Sequence, residues 1–264
     1  MIRALSSAAT GMIAQQFLVD NTANNLANVN TTGFKRSKVD FQDLVFSTLR
    51  APGSEVVAGI EVPTGLQIGN GVRVAGNTGI FTQGPLENTG NALDIAIEGE
   101  GFFQVTAPDG SIRYTRDGSF RLNATGQIVN ADGFLLEPAL TVPTDTIAIT
   151  IAPDGTVSVV TGSAPTTTTT VGTITLARFV NPAGLSREGR NLFRETAASG
   201  APVLNQPGQE GTGLLQQGFL ERSNVEVVQE LVNLILAQRA YEFNARAIRV
   251  SDSMLATAND LVRQ

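Results

Sequence analysis

The apolar residues at the two ends of this chain recur at alternating intervals of three and four, a spacing that serves a long helix packed along one seam. The N-terminal ladder runs Ile2, Leu5, Ala9, Met12, Gln16, Val19, Ala23, Leu26. The C-terminal ladder runs Val227, Leu231, Leu234, Gln238, Tyr241, Ala245, Ile248, Asp252, Leu255, Asn259, Val262. At about 1.5 Å per residue these are helices of roughly 40 and 55 Å, too long to lie inside a compact domain of this chain's size. Ala9 and Ala23 admit a close partner, while Gln16, Gln238, Asp252 and Asn259 place polar groups in the seam, as register-setting residues do in bundles. Gly11 reads as a defect of roughly 1 kcal/mol relative to alanine. Asn28 to Gly33 ends the first helix, because Asn and Gly tolerate left-handed backbone. Ser223-Asn224-Val225-Glu226 reads as a capping box that opens the second. Helices of unequal length, paired only with each other, leave part of the longer seam uncovered. The seams are therefore expected to serve contacts between subunits.

Composition removes most alternatives. None of the 264 residues is cysteine, histidine or tryptophan, which excludes thiol nucleophiles, imidazole bases, disulfides and His- or Cys-ligated metals. The only lysines are Lys35 and Lys38. A net charge of -6 offers no concentrated basic face for nucleic acid. No apolar run approaches the roughly 20 residues that span a bilayer, so no membrane insertion is expected, and Met1-Ile2-Arg3 is not followed by a secretory apolar stretch.

Between the ladders the period changes to two. Ala92 to Glu98, Ile147 to Ile151, Thr156 to Val160 and Val171 to Leu176 read as strands, and Asp109-Gly110, Asp117-Gly118, Asp132-Gly133 and Asp154-Gly155 read as hairpin turns. Ser163 to Thr170, with five consecutive threonines, reads as a low-complexity surface loop. Residues 46–75, broken by Pro52, Gly53, Gly59, Pro63, Gly65, Gly69 and Gly71, read as an extended linker or a long hairpin.

Carboxylates are the catalytic groups that remain. A strand would place Asp94 and Glu98 on one face, with Glu100 close by; the bland alternative is a solvated strand face and a Gly99-Glu100-Gly101 turn. No calcium-loop spacing surrounds the Asp-Gly pairs, Ser119 and Ser186 lack a nucleophile elbow, and Gly69-Asn70-Gly71 lacks the phosphate-loop pattern. The expectation is no catalytic, cofactor-binding or metal-binding residue; a secreted carbohydrate-active β-protein using Asp94 and Glu98 is the alternative from another class.

Asn24-Asn25-Leu26-Ala27-Asn28-Val29-Asn30-Thr31-Thr32-Gly33-Phe34-Lys35-Arg36 closely resembles the N-terminal signature of the flagellar rod and hook proteins. Leu93 to Val105, Tyr114 to Phe120, Gln217 to Val225 and Ala237 to Glu242 are similar to that family's central and C-terminal motifs, in the same order. Within the family, the length and the segment 46–65 followed by Gly65 to Val72 are most similar to distal-rod members, with proximal-rod or hook paralogues as the alternative. The Ser163 to Thr170 loop is not typical of it.

The resemblance implies an α+β chain in which long N- and C-terminal coiled-coil helices flank a mainly β central domain, assembled into a helical tubular polymer without enzymatic activity. The implied division is residues 1–30 with 223–264 for helical assembly, 31–75 for the linker or hairpin, and 76–222 for the β-domain. Leu5, Met12, Val19, Leu26, Leu231, Leu234, Tyr241, Ile248 and Leu255 are the expected assembly residues; Asn25, Leu26, Asn28, Asn30, Gly33, Phe34 and Lys35 carry the family motif. Implied partners are further copies of the chain, proximal-rod proteins, the hook protein, the surrounding bushing rings and the flagellar type III export apparatus. The implied location is the flagellar basal body, reached without a cleaved signal, and periplasmic in a cell with an outer membrane.

Overall fold

A computed structural model describes residues 2–53, 55–57, 60–61, 63–162, 164 and 167–262. Helix α1 covers Ile2–Ala27 and helix α2 covers Val227–Val262, with strands filling the chain between them, so the architecture is α+β. The chain divides into two compact units. One contains α1, Ser37–Thr78 and α2, and the other contains Ala27–Arg36 and Gly79–Val225.

In the first unit the segment after α1 forms a narrow β-ribbon. Ser37–Asp43 pairs with Val72–Gly79, Ser47–Arg50 with Leu66–Ile68, and Glu55–Val57 with Ile60–Glu61. The region is therefore a hairpin, not an unpaired linker. The base of the ribbon is fastened to α1 through side chains one turn apart. Asn25 exchanges two hydrogen bonds with the main chain of Ser37, Nδ2 donating to its carbonyl (2.9 Å) and Oδ1 accepting its N–H (3.0 Å). Asn21 Nδ2 donates to the same carbonyl (2.8 Å). Two carboxamides thus satisfy backbone groups at the strand's start, where an unpaired buried group would be costly.

Gly11 is not the defect its helix propensity implies. A Cβ there would come within 2.9 Å of Asn244 Nδ2 on α2, so the missing side chain lets the helices approach closely.

The second unit is built on a nine-stranded sheet around Phe102–Thr106, with a three-stranded sheet of Thr146–Ile151, Thr156–Thr161 and Thr168–Thr173. Its main core gathers Ile95, Ile97, Phe103, Phe120, Leu136, Val157, Ile174 and Leu176. A second core is aromatic, with Phe102, Tyr114, Phe179 and Phe193 meeting edge to face.

Four local expectations change. Thr168, Thr169 and Thr170 are strand, paired with Val160, Val159 and Ser158 with their own side chains exposed, because β-branched threonine suits an extended backbone; Ser163, Pro165 and Thr166 of the expected loop lie outside the described residues. The expected strand Val171 to Leu176 divides, ending at Thr173 and resuming as Leu176–Arg178 in the other sheet. Asp109-Gly110, Asp132-Gly133 and Asp154-Gly155 turn with glycine at positive φ, but Gly118 does not: it lies against the carbonyl of Ile95, where a Cβ would clash. The capping box is absent: Ser223 Oγ accepts from Val225 N two residues on (3.3 Å), and α2 begins only at Val227.

Tyr114 has a pH consequence. Burial, then the nearby charge of Glu195, push its phenol from 10.0 up to about 12. A proton held more tightly when folded contributes stability that is complete below pH ~10 and lost as pH rises toward 12. Urea midpoints should therefore fall more steeply between pH 10 and 11.5 in the wild type than in Tyr114→Phe. Parallel profiles would show that the phenol does not govern that limb.

Candidate functional site

Along α2, Glu230, Leu234, Ala237, Asn244, Ile248, Ser251 and Leu255 step by fours and threes with Tyr241 in the same ladder, and all but Tyr241 are buried or half-buried. This face is mostly small or polar. Besides Leu234, Ile248 and Leu255 on that face, α2 carries a second set of large apolar side chains: Val228, Val232, Ile235, Phe243, Val250 and Met254 are all exposed. At 3.6 residues per turn they fall within an arc of about 100°, nearly opposite the covered face. Ile235 is 49% and Phe243 66% exposed. On α1, Ile13 and Phe17 are likewise exposed, one turn apart.

The residues expected at the seam are distributed across these faces. Leu5, Met12, Val19 and Leu26 of α1 are half-buried, as are Leu234, Ile248 and Leu255 of α2, whereas Leu231 and Tyr241 are exposed. The second stripe escaped the sequence reading, which followed a single seam. Its signal was present in the i, i+4, i+7 run Val228, Val232, Ile235.

The motif residues from Asn28 to Lys35 form the other cluster, inside the second unit, whereas Asn25 and Leu26 belong to the first, Asn25 at the base of the ribbon. Gly33 has φ of 67°, and a Cβ there would sit 2.6 Å from Asp117 N. Its N–H donates to the carbonyl of Glu221 (2.7 Å), and the guanidinium of Arg187 lies 5.8 Å from the Phe34 ring centre. Asn28 accepts from Thr31 and Asn30 from Arg222 (3.1 and 3.3 Å). Lys35 is buried and donates to Glu221 Oε1 (2.5 Å) and to the carbonyl of Thr82 (2.7 Å). Arg116 reaches the other oxygen of the same carboxylate through Nε (2.9 Å), and Gly84 N donates to Oε1 (2.8 Å). Burial pushes the Lys35 ammonium below the usual lysine range; Glu221 opposes this and Arg116 adds to it.

Arg116 and Glu221 are the partners that sequence reasoning did not assign. A lysine within a polar motif, in a chain with two lysines, was the available signal. Asn224 completes the cluster: Oδ1 accepts from Arg36 N (2.7 Å), and Nδ2 donates to the carbonyls of Ile80 (2.9 Å) and Thr82 (3.1 Å).

The carboxylates weighed for catalysis are not paired. Asp94 is buried rather than on a solvated strand face, because both its oxygens serve a turn, accepting from Thr89 Oγ1 (2.6 Å) and Asn91 Nδ2 (3.0 Å). Glu98 is exposed and accepts from Gln216 (2.6 Å), and Glu100 pairs with Arg178 (3.0 Å). Among the described residues no group of three or more acidic side chains is placed to hold a metal, and no helix is long and apolar enough to cross a membrane.

Three family descriptions match the chain: "Flagella basal body rod protein" over residues 5–35, "Flagellar hook protein FlgE/F/G D1 domain" over 96–159, and "Flagellar basal body rod FlgEFG protein C-terminal" over 216–261. The chain is 46% identical over 268 residues to the flagellar basal-body rod protein FlgG of Borreliella burgdorferi, with all of both chains covered. It is 40% identical to FlgG of Bacillus subtilis, again with both chains fully covered. It is 31% identical to the flagellar hook-basal body complex protein FlhP of Bacillus subtilis, over 99% of this chain and 100% of that one.

Proposed function

The chain belongs to the flagellar basal-body rod protein family, and from that membership we propose that it builds the distal rod, polymerising into a helical shaft that carries motor torque to the hook. The observation that carries this reading is the open apolar face of α2. A helix with apolar residues on two opposed faces has one to give to another chain, and a heterologous contact repeated along an axis yields an open helical polymer. Coiled-coil contacts between copies would form the inner tube through Leu5, Met12, Val19, Leu26, Leu231, Leu234, Tyr241, Ile248 and Leu255, together with the stripe at Val232, Ile235 and Phe243. Proximal-rod and hook proteins would meet its two ends, bushing rings its outside, and the type III export apparatus would deliver it. The role is mechanical, and none of the clusters described above is assigned a reaction. Electron microscopy of the concentrated, purified chain tests the reading: filaments or tubes are expected, and a persistent monomer at every concentration would overturn it.

The ribbon would stiffen the shaft. It exposes Phe41, Val45, Phe46, Leu49 and Leu66, and a two-stranded ribbon is marginal unless its apolar residues are covered. Deleting residues 46–65 should leave filaments that form but bend more easily, seen as a shorter persistence length; an unchanged one would make the segment a spacer.

A further inference from the structure

Lys35 and Arg116 are 1% and 4% exposed and share one carboxylate, Glu221, itself 1% exposed. Two cations against one anion leave a buried positive charge uncompensated. Among the described residues, the charges that bear on Lys35 are Glu221 and Arg116. Donors are left over as well. An ammonium has three N–H groups, and Lys35 uses two, on Glu221 and Thr82. Each terminal guanidinium nitrogen has two, and Arg116 Nη1 uses one, on the carbonyl of Gly101 (2.6 Å).

Both side chains line one cavity of about 70 Å³, which Arg178, Glu100, Phe102 and Phe179 also border. That is several times the ~15 Å³ a single water needs. Its walls combine apolar rings with three cations and one carboxylate, and counting Glu221 behind them still leaves an excess of one positive charge. A water would use the spare donors but leave the charge in a low-dielectric site, where an unbalanced ion is disfavoured.

We propose that this cavity binds a small monovalent inorganic anion of halide size, held by the remaining N–H of Lys35 and that of Arg116 Nη1, with Arg178 at its mouth. The partly apolar wall favours a weakly hydrated ion such as chloride or bromide over a doubly charged oxyanion. The site would neutralise the cluster where the motif segments around Lys35, Arg116 and Glu221 converge.

Crystals of the full chain grown in sodium bromide test this directly. An anomalous peak within hydrogen-bond distance of Lys35 Nζ and Arg116 Nη1 is expected, and no peak there at saturating bromide overturns the site. Thermal unfolding gives a second readout. Replacing gluconate by chloride at constant ionic strength should raise the wild-type midpoint saturably, by several degrees. Lys35→Met keeps the Arg116–Glu221 pair and should lose that response; a response equal to the wild type's, or one equally large in sulfate, counts against the proposal. Should Lys35→Met fail to fold, Arg178→Gln at the exposed mouth takes its place, with roughly tenfold more chloride needed for the half-maximal shift and an unchanged requirement overturning the assignment.

Discussion

Phe243→Asp is expected to leave the monomer folded and to abolish polymerisation. The side chain is 66% exposed on α2, so removing it from the isolated chain costs little, and surface substitutions of this kind stay within about 0.5 kcal/mol. In an assembled shaft the same position would be covered, and an unpaired carboxylate in a buried apolar contact costs roughly 3–5 kcal/mol. That corresponds to a rise of about 10² to 10³ in the critical concentration for polymerisation. The far-ultraviolet spectrum and unfolding midpoint of the monomer should match the wild type, while sedimentation shows no polymer and cells carrying the variant do not swim. Leu255 is a less discriminating target, because it is already half-buried within its own chain and a charge there would disturb folding and assembly together. A Phe243→Asp chain that polymerises at the wild-type concentration would remove the open face of α2 from the interface.

Glu221→Gln should have the largest effect on folding. Lys35 and Arg116 are both buried against this carboxylate, and the amide removes the one negative charge they share. Breaking a buried pair from one side costs roughly 3–5 kcal/mol, since the remaining charges have no water to turn to. For a unit of this size that lowers the thermal midpoint by roughly 10 °C. Lys35→Met should be far milder. It removes one of the two cations, and both Glu221 oxygens keep a partner, in Arg116 Nε and Gly84 N. Equal losses in the two variants would show that the cluster acts as three separate hydrogen bonds and not as a charge balance.

These residues also show where the sequence could be read. The helices were legible because a seam of threes and fours extends over 26 and 36 residues, long enough to outweigh Gly11 and the polar seam positions. The period-two strands were legible where alternation was strong, as in Thr156–Thr161, whose burial alternates residue by residue as far as Val160. Threonine runs were misread because repetition resembles low complexity, although each threonine is individually suited to a strand. The Lys35–Glu221 pair, 186 residues apart, could not be seen, since nothing local to either residue reports a partner so distant. Asp94 was misplaced for a related reason: a carboxylate in an alternating stretch looks solvent-facing until Thr89 and Asn91 are known to fold back onto it.

Ile80 and Asn224 lie side by side, Asn224 Nδ2 donating to the Ile80 carbonyl (2.9 Å), although nearly the whole of the second unit's long segment, Gly79–Val225, separates them along the chain. Entrance and exit of that segment therefore share one doorway. Whatever is threaded between two adjacent points can grow, shrink or be exchanged without altering the span its ends must bridge. Relatives could accordingly differ in the size of this insert while keeping the same helical ends, and a foreign domain with neighbouring termini could be grafted between residues 80 and 224 as a passenger.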